Sequence, residues 1–282
     1  MKLITDKKMK RIITATVTCL VAIATIAQEK ADIEISYTAS RVNLRDGSNL
    51  TPNQYILFAN AKESKFYSPM TEYLDSLQST PEGDARYKEM ARGAYLGGKL
   101  DEMPRRDGSY YIFKNLNGNK MMYYDVNGVE KYCYEEEIPQ IEWELTDSNK
   151  TILGYECQMA TGNLHGRKWK VWFTPEVPVM NGPWKFSGLP GLILEATDDS
   201  GLYNFTATGI QQTGRLMMPM YSADDYEKIS RIEFLKAKRQ FIDNPLGTMN
   251  TQLSAFGITI GDATTKLEYK PREEVDFIET DY

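Results

Sequence analysis

His165 is the only histidine in the 282-residue chain, and that single imidazole limits the chemistry available. One histidine cannot build a multi-histidine zinc site. A serine nucleophile would need that histidine beside an elbow motif, yet Gly-x-Ser-x-Gly is absent and Ser187, in Phe186-Ser187-Gly188, does not fit it. The string Thr161-Gly162-Asn163-Leu164-His165-Gly166-Arg167 reads as a turn between two strands, which makes His165 an exposed loop residue. Zinc-protease helices, P-loops and dinucleotide fingerprints are missing too. No catalytic residue, no metal and no cofactor is assigned.

Carboxylates remain, 39 of them. Two across a polar cleft would suffice for glycoside hydrolysis. Glu135-Glu136-Glu137, however, reads as an exposed strand end, since adjacent like charges prefer water. Asp198-Asp199 belongs to a hairpin turn, and Asp125-Val126-Asn127-Gly128 lacks the ligand spacing and distal glutamate of a calcium loop. Aromatic residues offer binding chemistry instead. Alternation in Trp169-Lys170-Val171-Trp172-Phe173 puts Trp172 on the face opposite Trp169 and Phe173. Trp172, Trp184, Phe186 and Leu189 form the candidate ligand-binding set, with core packing as the competing reading because tryptophan is highly buried on average.

The first 27 residues have the layout of an export signal. Lys2, Lys7, Lys8, Lys10 and Arg11 precede an apolar run from Ile12 to Ile26 that ends in a small residue, Ala27. The run falls short of the roughly 20 residues a spanning helix needs, and no later stretch is apolar enough to cross a bilayer. The residues before Cys19 do not fit a lipidation site. Cleavage would remove five of 33 basic and one of 39 acidic residues, leaving 28 against 38 and a net charge of −10. Such an acidic chain is a poor nucleic-acid binder. The expectation is a periplasmic or otherwise exported protein that is not integral to the membrane. In an oxidising compartment the remaining Cys133 and Cys157 are predicted to form a structural disulfide, closing a loop of about 25 residues worth roughly 3 kcal/mol.

The most specific string is Gly182-Pro183-Trp184-Lys185-Phe186-Ser187-Gly188-Leu189-Pro190-Gly191-Leu192-Ile193-Leu194-Glu195. Its prolines, with Pro175 and Pro178 before them, rule out a central strand or a helix. Gly188, Pro190 and Gly191 are turn residues that make a rigid corner feeding a hairpin. The string resembles the box that names the GLPGLI family, exported proteins of Bacteroidetes-type bacteria with no established activity. The likeness extends from about Tyr132 to Ile210, through Trp143, Ile152-Leu153-Gly154-Tyr155, Cys157, Trp172-Phe173-Thr174 and Pro178. Met159-Ala160 departs from it where a basic residue is expected. The resemblance implies a curved antiparallel sheet like a half-barrel and carries no catalytic residues over.

Elements that must position these residues are mostly strands. Alternation and turn chemistry predict strands at 32–39, 54–59, 110–113, 120–124, 129–134, 141–145, 155–160, 168–173, 192–197 and 202–208, with Asn-Gly pairs at 117–118 and 127–128. Two helices are expected to pack on the sheet: 84–96, presenting Tyr87, Met90, Ala91, Ala94 and Tyr95, and one from Ser222 to about Ile242. The fold class is mainly β (β-rich α+β), one domain over 28–270, followed by an acidic tail at 271–282 that is partly disordered. The expected function is non-enzymatic binding of an apolar ligand or an envelope partner. A carboxylate-dependent hydrolase of envelope glycans and a structural envelope component are the alternatives.

Overall fold

The computed structural model describes residues 29–99, 106–254 and 276–282. The predicted signal segment and residues 271–275 lie outside the described residues.

The chain forms one curled, twelve-stranded sheet. Strands β1 (Ile33–Arg41), β2 (Asn53–Ala59), β3 (Glu63–Tyr67), β4 (Tyr111–Asn115), β5 (Lys120–Asn127) and β6 (Glu130–Glu137) are sequential neighbours. A second meander runs through β7 (Glu144–Ile152), β8 (Tyr155–Leu164), β9 (Arg167–Thr174), β10 (Leu192–Asp198) and β11 (Tyr203–Gln212). The two join where β1 pairs with β11, giving the order β12-β6-β5-β4-β3-β2-β1-β11-β10-β9-β8-β7. Every ladder is antiparallel except that of the two-residue β12 (Glu227–Lys228), which lies parallel to β6.

Turn chemistry explains the tight connections. Leu153-Gly154 (φ +52° and +87°) and His165-Gly166 (φ +51° and +81°) put two consecutive residues in the left-handed region. That is the signature of the two-residue hairpin turn that matches strand twist. Alternation then sends Ile33, Ile35 and Tyr37 of β1, with Trp169, Val171 and Phe173 of β9, into the same buried core.

The helices depart from expectation. There are four among the described residues: α1 (Pro69–Gln78), α2 (Pro81–Leu96), α3 (Arg231–Asp243) and α4 (Pro245–Ser254). In α2 the expected positions Tyr87, Met90, Ala91 and Ala94 are half-buried, but the helix packs on α1 rather than on the sheet. The helix expected from Ser222 begins at Arg231 instead. Ser222 has φ +53° and makes no cap bond, whereas Ser230 and Glu233 form a reciprocal capping box. Strand β3, absent from the strands predicted by alternation, and the shift of the 141–145 strand to 144–152 are further corrections. Residues 276–282 of the tail, expected to be loose, are packed against the fold, with Phe277 and Glu279 buried.

Candidate functional site

Between β9 and β10 the proline- and glycine-rich segment leaves the sheet and enters its concave face. Asn181, Trp184, Lys185, Phe186, Ser187 and Leu189 are all buried there. Interior donors fix its path. Lys114 Nζ donates to Asn181 Oδ1 (2.9 Å) and to the Phe186 carbonyl (2.7 Å), and Trp143 Nε1 donates to the Ser187 carbonyl (2.8 Å). Tyr37 Oη donates to the Ile193 carbonyl (2.7 Å) where β10 begins. Gly191 is sterically required, since a Cβ there would lie 2.1 Å from the Thr174 carbonyl oxygen. The segment is therefore a plug that fills the middle of the trough.

This placement separates the predicted ligand set. Phe186 and Leu189 are core residues, with Phe186 edge-on to Trp169 at 4.8 Å between centroids. Trp172 is on the other face of the sheet, under the Lys150 ammonium at 4.4 Å. Trp184, held at φ +51°, is the member of the set that borders open space.

That space is a cavity of about 370 Å³ at the end of the trough where β1 finishes and β2 and β11 begin. Tyr55, Tyr110, Tyr123, Trp184, Phe205 and Phe234 provide its aromatic walls, with α3 and residues 276–279 closing over it. Across the sheet the rings stack in sequence: Phe66–Tyr55 at 4.8 Å, Tyr55–Tyr110 at 5.0 Å, Tyr110–Tyr123 at 5.6 Å and Tyr123–Tyr134 at 4.8 Å. Burial holds the Tyr55, Tyr110 and Tyr123 hydroxyls far above the usual tyrosine range, so they stay neutral. The volume suits a small molecule, and the lining joins these aromatic walls to the charged side chains of Arg41, Arg106, Lys238, Asp276 and Glu279. A second, wider recess opens at the opposite strand ends, past Ser187 and Gly188 on the far side of the plug.

Beside the cavity lies a buried ionic lattice. Lys185 Nζ sits 2.6 Å from Glu136 Oε1 and 2.8 Å from Glu279 Oε1, while Arg231 reaches Glu279 Oε2 at 2.6 Å and Asp281 Oδ1 at 2.9 Å. His165 closes the ring, with Nδ1 3.2 Å from Asp281 Oδ2 and Nε2 3.4 Å from Lys185 Nζ. A carboxylate only accepts and an ammonium only donates, so the neutral imidazole carries its proton on Nδ1. Burial, followed by the charge of Lys185, lowers the His165 pKa. The exposed loop histidine of the sequence reading is thus an internal residue with an 11% exposed side chain.

The lattice resembles a metal site only in composition. His165, Glu279 and Asp281 bring their ligand atoms within 4.8 Å of one another, but both carboxylates are already neutralised by Lys185 and Arg231. Glu279 does not suit the acid of a glycosidase pair either. A general acid needs a raised pKa, whereas the Lys185 ammonium and its neighbours hold the Glu279 carboxyl low against the opposing effect of burial.

The predicted disulfide is corrected. Cys133 and Cys157 are both free and buried. Cys133 is on β6 and Cys157 on β8, and β5, β4, β3, β2, β1, β11, β10 and β9 stand between them in the sheet. Their sulfurs turn to separate backbone oxygens, those of Tyr226 and Tyr155.

Residues 165–195 match the family model described as Protein of unknown function (Porph_ging). The matched stretch begins at the lattice histidine and spans β9, the plug and most of β10. No curated protein matches the chain. Among solved structures, PNGF-II in its P21 crystal form is similar at 15% identity with a TM-score of 0.50, over 74% of this chain and 33% of that one. The C2 form gives the same identity and TM-score over 75% and 33%. The chain thus spans about a third of the length of those structures, and the likeness shows the β-rich fold alone.

Sequence reasoning missed Lys185, Glu136, Arg231 and Glu279 as a unit. One signal was available: Lys185 is the lone charge within the apolar Trp184-x-Phe186 string.

Proposed function

We propose that this is an exported, GLPGLI-type binding protein of the periplasm or envelope, without catalytic activity, that houses a small apolar ligand in the cavity at one end of its trough. The observation that carries the reading is the 370 Å³ space walled by stacked aromatic rings and roofed by α3 and the C-terminal residues. Two further features support it. The acidic residues lining the cavity are bound to cations, Asp276 by Arg167 and Glu279 by Lys185 and Arg231, which leaves no free acid–base pair. No helix among the described residues is long and apolar enough to cross a membrane.

The test is native mass spectrometry of the chain purified from its native host, with extraction and identification of bound small molecules. A stoichiometric apolar compound, lost when Phe205→Trp fills the cavity, is the expected result. A chain that arrives empty and takes up no apolar probe would overturn the reading and favour a structural envelope role.

A further inference from the structure

Of the charged side chains that line the cavity, Arg41 differs from the rest. Lys238 is 2.7 Å from Asp125 Oδ2, Arg106 is paired with Asp75, Asp276 is 2.7 Å from Arg167, and Glu279 is held by Lys185 and Arg231. Arg41, the last residue of β1, is half-buried beside Tyr55 and Tyr203, and among the described residues its guanidinium has no ion pair and no hydrogen bond. The neighbouring carboxylate, Asp107, directs Oδ2 to the Gln54 backbone N–H at 2.7 Å. Asp107 feels the Arg41 charge but makes no ion pair with it, so the partly desolvated guanidinium keeps its hydrogen-bonding fork open to an anion. Its planar fork matches a carboxylate, sulfonate or phosphate through two parallel hydrogen bonds.

We propose that the occupant of this cavity is a small amphipathic anion, its apolar body against the stacked rings and its acidic head on Arg41. The inference rests on the binding reading above and adds to it the chemical class of the ligand. Tyr55 and Tyr203 flank Arg41 at one end of the cavity, and Trp184 and Phe205 supply aromatic surface for the body of the molecule.

A matched pair of fluorescent probes separates the two claims. N-phenyl-1-naphthylamine and 8-anilinonaphthalene-1-sulfonate share one body and differ by the sulfonate. They are titrated into the folded wild-type chain, Arg41→Gln and Arg41→Lys at fixed salt, with circular dichroism and thermal melts confirming that the variants fold. The expected result is that wild type binds the sulfonate about tenfold more tightly than the neutral probe, a step of about 1.4 kcal/mol. Arg41→Gln should abolish that preference while leaving the neutral probe unchanged, and Arg41→Lys should restore part of it. Equal affinity of wild type for the two probes, or a preference that survives Arg41→Gln, overturns the anion inference and leaves the cavity reading standing. Failure of the wild-type chain to take up either probe overturns both.

Discussion

Lys185 and Glu279 meet inside the protein at 2.8 Å, with side chains 0% and 3% exposed. The pair ties the plug in the trough to the C-terminal residues that roof the cavity. Each partner is held further, Lys185 by Glu136 and Glu279 by Arg231. The lattice is thus the point where plug, β6, α3 and chain end are locked together.

Removing Lys185 leaves the buried Glu279 and the half-buried Glu136 one cation short. Lys185→Met should lower unfolding free energy by about 3–5 kcal/mol. The double variant Lys185→Met/Glu279→Gln should recover part of that loss, because the two sites are coupled. Urea unfolding of the single and double variants checks both expectations.

Acid should weaken the fold through His165 before the carboxylates protonate. The folded pKa of His165 is lowered by burial and Lys185, whereas an unfolded histidine titrates near about 6.5. Between those values the unfolded chain holds a proton that the folded chain does not. The contribution is therefore intact above about pH 6.5 and is lost as pH falls through the folded value. Glu279, also lowered, adds a further loss below about pH 4.3. Urea midpoints measured from pH 7.5 to 5 should slope downward for wild type and be flatter for His165→Gln.

Lys114 acts in the alkaline range. Burial without a carboxylate partner lowers its pKa to about 7, far below the roughly 10.4 of an unfolded lysine. Between pH 7 and that value the unfolded chain binds more protons, so this group makes stability rise with pH. Lys114→Met should remove that rise, read as the difference between wild-type and variant urea midpoints at pH 7 and pH 9.

Two glycines of the plug should respond differently to alanine. At Gly191 the added Cβ meets the Thr174 carbonyl oxygen at 2.1 Å and Pro175 Cα at 2.9 Å, both backbone atoms. Gly191→Ala should cost about 3 kcal/mol, the upper end of overpacking. Gly188 has φ +92° but open space, with Trp143 Nε1 its nearest neighbour at 3.6 Å, so Gly188→Ala should cost about 1–2 kcal/mol from backbone strain alone. Thermal melts of the two variants give the order.

The two thiols should behave as buried, unpaired groups. Burial raises both pKa values, that of Cys157 to about 11. A chain beginning at Gln28, which lacks Cys19, should react with a thiol reagent far more slowly when folded than when unfolded, and the unfolded form should titrate two equivalents without any reductant. An intact mass two hydrogens light would instead reveal the disulfide and refute the arrangement.

Strands were legible wherever alternation and turn residues coincided, as in the β4–β6 meander and the β10–β11 hairpin. They were hidden where polar residues face inward. In β3, Lys65 is 1% exposed because Glu72 of α1 and the Met218 carbonyl receive its ammonium, so the period-two pattern is broken by a charge with a distant partner. β7 was misplaced because an exposed edge strand of Thr, Asp, Ser, Asn and Lys looks like a turn. The box in the sequence announced a rigid corner. That the corner would be swallowed by the sheet depended on Lys114, Trp143 and Tyr37, donors remote in sequence whose convergence only the fold creates.

The seam between the two meanders also fixes an order of events. β1 takes one neighbour from β2 and the other from β11, with Ser36 and Thr208 bonded across 172 residues of chain. As the ribosome delivers the N-terminal half first, β1 waits with one bare edge until residues 203–212 appear. Long-range pairing of this kind is slow to form and exposes sticky intermediates. A chain truncated before residue 203 should therefore leave β1 with a bare edge and aggregate as a half-sheet.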